Sequence, residues 1–422
     1  MTLSWGQIAR MGLVQMALGA VVVLTTSTLN RLMVVEFALP AVLPGLLVGL
    51  HYGIQLSRPR WGFVSDTGGN RTRWIIGGMA VLAVGGFLAA CGVTLFANSF
   101  GLAMALSVFA YALIGLGVGA SGTSLLALLA TATAPDRRPA AAMITWMMMI
   151  LGIALTAGLA GSFLDPYSPA RLLTVVAVVT ALAFAVTVLA IWGVERRVTI
   201  ARAPDPMPFI DGLREVWAER RARNFTIFVF LSMNAYFMQE LILEPYAGLV
   251  WGFTPGQSTA LSGAQNGGVF LGMLVVGVTA TWFKLGALRS WVIAGCIGSA
   301  LCLMAIASTG LALMPLVVSL GFFNGMFAVA AVGSMMALAA EGRGHREGTR
   351  MGLWGAAQAI AAGFGGLCGA AAADIMRGLT TDTTAFGAVF AVEAALFIAS
   401  AVMALHIMDT NNRRAVGMVP GE

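Results

Sequence analysis

The chain is poor in charge. Charged residues make up 10% of its 422 residues, against about 25% in an ordinary soluble domain. That shortage excludes a water-solvated globule of normal composition. Lysine is nearly absent, Lys284 standing alone among basic residues that are otherwise arginine. Histidines number 3 and cysteines 4. No cysteine pair has CxxC spacing or lies near a histidine in sequence, so zinc-site and redox-motif readings are excluded and Cys91, Cys296, Cys302 and Cys368 read as small buried apolar side chains. There is no P-loop, which excludes an ATP-driven pump in this chain alone, and no Ser/His/Asp constellation, so no enzyme is expected. Period-two β-barrel alternation is also missing.

What remains is hydrophobic. Apolar residues make up 59% of the chain, and a run of about 20 such residues spans a bilayer as a helix. Twelve runs qualify: 10–30, 39–57, 74–96, 101–133, 140–163, 170–194, 225–249, 258–282, 288–308, 311–339, 351–375 and 384–407. The 52 glycines fall largely inside them, where small residues let helix backbones approach. Of the 24 lysines and arginines, only Arg31, Arg171 and Arg377 fall on one side of the resulting topology. Basic loops stay in the cytoplasm, so both termini are expected there, in a multi-pass membrane protein. The pI near 9.6 reflects this asymmetry and not nucleic-acid binding. Residues 1–10 lack the pattern of a cleavable signal.

The expected organisation is a six-helix bundle over 1–194, a cytoplasmic linker over 195–224, and a second bundle with a short tail over 225–422. The linker carries Phe209, Leu213, Val216 and Trp217 at helical spacing, which predicts an amphipathic helix that either lies on the membrane surface or simply tethers the bundles. Arg138, Met143 and Trp146 recur as Arg346, Met351 and Trp354, a displacement of 208 residues that Glu36 and Glu244 share. The halves therefore read as parallel repeats.

Between the second and third runs lies a turn containing Arg58, Gly62, Asp66, Gly69 and Arg71. Its order of glycine, aspartate, glycine and arginine resembles the loop between helices two and three of the major facilitator superfamily. That resemblance implies twelve transmembrane helices in two six-helix bundles. It also implies a cytoplasmic gate in which Asp66 accepts hydrogen bonds from a neighbouring helix end or an arginine. Thr67 follows the aspartate where transporters of the superfamily usually carry a basic residue, so a rigid folding staple is the other reading of this turn. Gly115, Gly117, Gly119 and Gly122, and the run Gly363 to Gly369, suit either helix packing or a flat wall against a bulky apolar ligand.

Polar residues inside membrane helices are functional candidates by default. His51 and Gln55 share a helix face. Either they form a helix-to-helix hydrogen bond, or they ligate the magnesium of a chlorin. Gln265, Asn266 and Gln358 are further candidates for pigment contact. Glu240 and Glu244 either carry a proton or solvate one end of the seventh helix. Glu393 stands mid-span in the last helix.

Several segments resemble the PucC family of photosynthetic bacteria: Asn30-Arg31-Leu-Met-Val-Val-Glu36, His51-Tyr52, Leu56 through Thr67, Gly348 through Gln358, and Ala371-Ala-Ala-Asp374. The resemblance implies an assembly factor for light-harvesting complexes in the photosynthetic intracytoplasmic membrane. It further implies bacteriochlorophyll as a ligand to be held or handed over, and antenna polypeptides or pigment-synthesis enzymes as partners. A proton-coupled transporter of a small amphipathic solute is the alternative that the intramembrane glutamates keep open.

Overall fold

The computed structural model describes residues 3–58, 61, 70–134, 137–195, 214, 217–281, 283, 286–308, 312–341 and 347–407. Among the described residues the chain is helical, with no strand. Twelve helices follow in order: α1 (Trp5–Glu36), α2 (Val42–Gln55), α3 (Arg71–Leu95), α4 (Phe100–Ala132), α5 (Arg138–Leu164), α6 (Pro169–Ile191), α7 (Arg220–Trp251), α8 (Pro255–Thr281), α9 (Leu288–Ala307), α10 (Leu313–Glu341), α11 (Glu347–Arg377) and α12 (Asp382–Ile407). Eleven are long and apolar enough to cross a membrane. The exception is α2, whose described helix has 14 residues and so covers about 21 Å, short of a hydrocarbon core of about 30 Å. The run 39–57 led to a longer helix being expected here. Pro40 and the left-handed Ala38 delay its start, and the turn at Leu56–Ser57 ends it.

Helix α1 is not uniform. It widens into π-helix at Leu24–Thr28 and again at Leu32–Glu36. Thr25 and Thr26 both return their hydroxyls to the Val22 carbonyl, at 2.7 and 3.2 Å, and such back-bonding bends helices. π-bulges concentrate at functional sites, and this one faces the middle of the molecule, where α1 meets α7.

Two six-helix bundles form the fold. In the first, α3 packs on α4 and α6, α1 on α5 and α6, and α2 on α4. In the second, α10 packs on α8 and α9, α7 on α11 and α12, and α9 on α12. The bundles meet along two seams, α5 against α8 and α2 against α11. Two main apolar cores form, one around Met11, Met79 and Tyr111, the other around Phe228, Phe327 and Phe390; Leu241 of α7 joins the first and Ile150 of α5 the second.

Glycine sets the spacing. Gly268 and Gly272 on α8 face the Val318 and Phe322 carbonyls of α10, while Gly321 and Gly325 return the contact to the Gln265 and Val269 carbonyls. Any Cβ there would enter backbone. The same logic decides the two glycine runs singled out in sequence. Gly117 lies against Leu82 and Gly78 of α3, and Gly115 against the His51 carbonyl of α2. Gly365 and Gly369 lie against Asn234 and Met238 of α7. Both runs pack helices. Of the four cysteines, Cys296 and Cys302 are buried as expected, while Cys91 and Cys368 are half-buried.

Gly62, Asp66 and Gly69 of the turn predicted as a gate lie outside the described residues, as do most of the segment predicted as a linker helix and the tail after Ile407.

Candidate functional site

The middle of the molecule is lined where α2, α7 and α11 converge. Tyr52 of α2 meets Phe237 of α7 edge-on at 6.1 Å between ring centroids, and Gly363 of α11 comes against the Tyr52 side chain. Tyr236 and Phe237 stack edge-on at 5.1 Å. The neighbouring His51 ring lies 4.8 Å from that of Tyr52.

Three predicted residues form one chain here. Arg58 donates to Gln55 Oε1, and Gln55 Nε2 stands 2.8 Å from His51 Nε2. His51 and Gln55 are 2% and 3% exposed. His51 Nδ1 and Arg58 Nε are buried with no hydrogen-bond partner among the described residues. Gln265, Asn266 and Gln358 are half-buried and are not bonded to this chain. Asn266 instead donates to the Ser262 carbonyl one turn back, at 3.0 Å.

The two glutamates part company. Glu244, 1% exposed, accepts from Ser262 of α8 at 2.5 Å, leaving Oε2 without a partner among the described residues. Glu240 faces Thr26, at the π-bulge of α1. Glu393 is 0% exposed, and both its oxygens lack partners among the described residues.

A second polar layer lies at the far side, opposite the chain termini. Arg31, 2% exposed, donates to Glu36 at 2.5 Å and to the Phe253 carbonyl at 2.7 Å, tying α1 to the α7–α8 turn. Asn30 donates to the Leu241 carbonyl at 2.7 Å, and Thr28 meets Thr259 at 3.1 Å. Burial pushes the Tyr167 phenol above its ordinary pKa, with Glu36 adding to the effect and Arg31 opposing it.

The seams close with carboxylates. Asp374, near the end of α11, accepts from the Ala41 and Val42 backbone N–H groups at 2.9 and 2.7 Å, so it caps α2 of the other bundle. Asp165, at the end of α5, accepts from Gly256 N–H at 3.1 Å and from the Thr254 hydroxyl at 2.6 Å, and so caps α8. Each cap places negative charge on the positive end of a helix dipole. Sequence reasoning did not single out these roles. The signal was present: Asp165 and Asp374 are displaced by 209 residues, one away from the repeat offset.

On the side of the termini, Arg71 is buried. Its backbone N–H and that of Thr72 donate to Glu195 at 3.0 and 2.8 Å, and its guanidinium reaches the Ala127 carbonyl. Arg10 closes α6, donating to the Leu189 and Trp192 carbonyls. No group of three or more His, Cys, Asp or Glu side chains suited to a metal occurs among the described residues.

The architecture is that of the major facilitator superfamily. A bacterial homologue of the human lysosomal transporter Spinster, solved inward-facing and occupied, matches with a TM-score of 0.69 at 15% identity, over 96% of this chain and 97% of that one. A bacterial homologue of the human drug–peptide transporters PepT1 and PepT2 matches with a TM-score of 0.69 at 12% identity, over 97% and 99%. At such identities the likeness is one of fold.

Within that fold the sequence is more specific. The PUCC protein family model matches residues 28–412, and the chain belongs to this family. It is 66% identical to the "Bacteriochlorophyll synthase 44.5 kDa chain" of Rhodobacter capsulatus, over 99% of each. It is 29% identical to the "Protein PucC" of Cereibacter sphaeroides, over 95% of this chain and 92% of that protein. The chain is thus a multi-pass membrane protein of a photosynthesis-related family.

Proposed function

We propose that this protein is a non-enzymatic membrane assembly factor for a bacterial light-harvesting complex, and that it holds or delivers bacteriochlorophyll or a late precursor. The observation that carries this reading is the full-length likeness to a protein named for bacteriochlorophyll, with proteins named PucC matching almost as fully. The interior is compatible with a bulky, largely apolar ligand. Aromatic side chains from both bundles meet at Tyr52 and Phe237, with a few buried polar groups beside them. Antenna polypeptides and pigment-synthesis enzymes are the proposed partners. The photosynthetic inner membrane, with both termini in the cytoplasm, is the proposed location.

Deletion of the gene tests the assembly role. Loss of antenna absorption with pigment synthesis intact is the expected phenotype, and a normal antenna would overturn the reading. The absorption spectrum of gently purified protein tests the ligand. The charged turn is proposed as a gate, so Asp66→Asn should leave the helices inserted but lower antenna levels.

A second reading is a proton-coupled transporter of a small amphipathic solute. It is favoured by the buried Glu244–Ser262 pair and by Glu240 beside the irregular part of α1. It predicts that deletion changes export and leaves the antenna normal, and that Glu244→Gln reproduces the export change.

A further inference from the structure

Hydrogen-bond chemistry fixes the protonation of His51. Guanidinium nitrogens only donate, so the Gln55 atom facing Arg58 is the amide oxygen; the opposite flip would set donor against donor. The Gln55 NH2 group therefore faces His51 Nε2 at 2.8 Å. For that contact to be a hydrogen bond, Nε2 must accept. The ring is then neutral, with its proton on Nδ1. Neither nitrogen is left with a free lone pair. Nε2 is engaged by Gln55, and Nδ1 is a buried donor with no partner among the described residues. An unmatched buried donor is destabilising, and an incoming acceptor oxygen would satisfy it.

We propose that the Arg58–Gln55–His51 chain is a donor subsite: His51 Nδ1–H receives a carbonyl oxygen of a bulky apolar ligand, and His51 does not ligate that ligand's metal. This rests on the pigment reading above and reverses the magnesium-ligand role that the sequence suggested for His51. The subsite borders the seam between the bundles. Tyr52 packs edge-on to the imidazole, reaches Phe237 of α7 and is met by Gly363 of α11. Arg58 acts through Gln55 by holding the amide flip, and so is a positioning residue. A tetrapyrrole offers keto and ester carbonyls at its rim, and recognition through them is indifferent to the central metal.

The test uses the full chain in lipid nanodiscs, with bacteriochlorophyll and its magnesium-free counterpart, bacteriopheophytin, as probes. Both should bind with dissociation constants within about threefold of each other. His51→Leu should weaken both about five- to tenfold, the scale of one neutral hydrogen bond. It should also raise the frequency of one pigment carbonyl stretch in the resonance Raman spectrum. Gln55→Leu, which frees Nε2, should create a preference for the magnesium form. If the magnesium-free pigment binds wild-type protein at least tenfold more weakly, and His51→Leu removes that difference, the proposal is overturned in favour of metal ligation. Nitrogen-15 NMR of histidine-labelled protein without pigment, assigned by the loss of signal in His51→Leu, reads the tautomer independently. A protonated Nδ1 is expected, and a protonated Nε2 overturns the relay. If the tautomer is as expected but neither pigment binds, the pigment reading falls, and with it the ligand half of the proposal.

Discussion

At the scale of single residues, buried polarity divides into groups that are bonded and groups that are not. The three arginines outside the basic side all have local work. Arg31 holds Glu36 and the Phe253 carbonyl, Arg171 holds the Pro166 carbonyl, and Arg377 pairs with Asp382 at 2.7 Å. Glu393 is the opposite case, a buried carboxyl with neither oxygen partnered among the described residues. Removing an unmatched polar group relieves its desolvation cost, so Glu393→Leu should stabilise the protein by about 1–3 kcal/mol. A rise in melting temperature of the detergent-solubilised variant checks this, and a fall would point to a partner that Glu393 serves. Gly321 argues the other way. A Cβ there would press into the Gln265 carbonyl, so Gly321→Ala should destabilise the second bundle by roughly 1–3 kcal/mol, read as a lower melting temperature.

At the scale of helices, each seam is tied by a carboxylate from one bundle on a helix start of the other. Asp374 stands on α2 and Asp165 on α8. Ala41, at the N-cap position of α2, has no capping side chain of its own, so Asp374 supplies what the local sequence does not. Losing a cap costs about 0.5–2 kcal/mol. Asp165→Ala and Asp374→Ala should each loosen the far side by that amount, and together by nearly the sum, because the seams are separate. Spin-label distances across the far side, between α2 and α8, should broaden or lengthen in the double variant. Unchanged distances in that variant would mean the caps do not hold the bundles together. Asp374→Asn keeps one acceptor oxygen and should fall between wild type and alanine.

At the scale of the whole molecule, the proposed orientation is open to direct measurement. In a background with Cys91, Cys296, Cys302 and Cys368 replaced, Ala170→Cys on the far side should react with an impermeant thiol reagent from the periplasm. Ser290→Cys should react only after the membrane is permeabilised. Both sites are exposed. The reverse pattern would invert the topology. Such a result would also remove the cytoplasmic placement of the charged turn, and with it the proposed gate.

Helix number was legible in the chain itself, because lipid demands about 20 apolar residues per crossing. The family was legible through short segments such as Trp354–Gln358. The sequence also placed His51 and Gln55 on one face, since i and i+4 positions always share one. It could not tell which atom faced which. That depends on Arg58 reaching back to the Gln55 oxygen, the order from which the donor role of His51 is proposed. Nor could it tell packing glycines from ligand-facing ones, because that depends on what lies opposite. Gly117 proved to face the α3 backbone and Gly365 that of α7. The aspartate caps were hidden for the same reason. Asp165 and Asp374 lie far along the chain from the helices they cap, and only the docking of one bundle on the other brings carboxylate and helix start together.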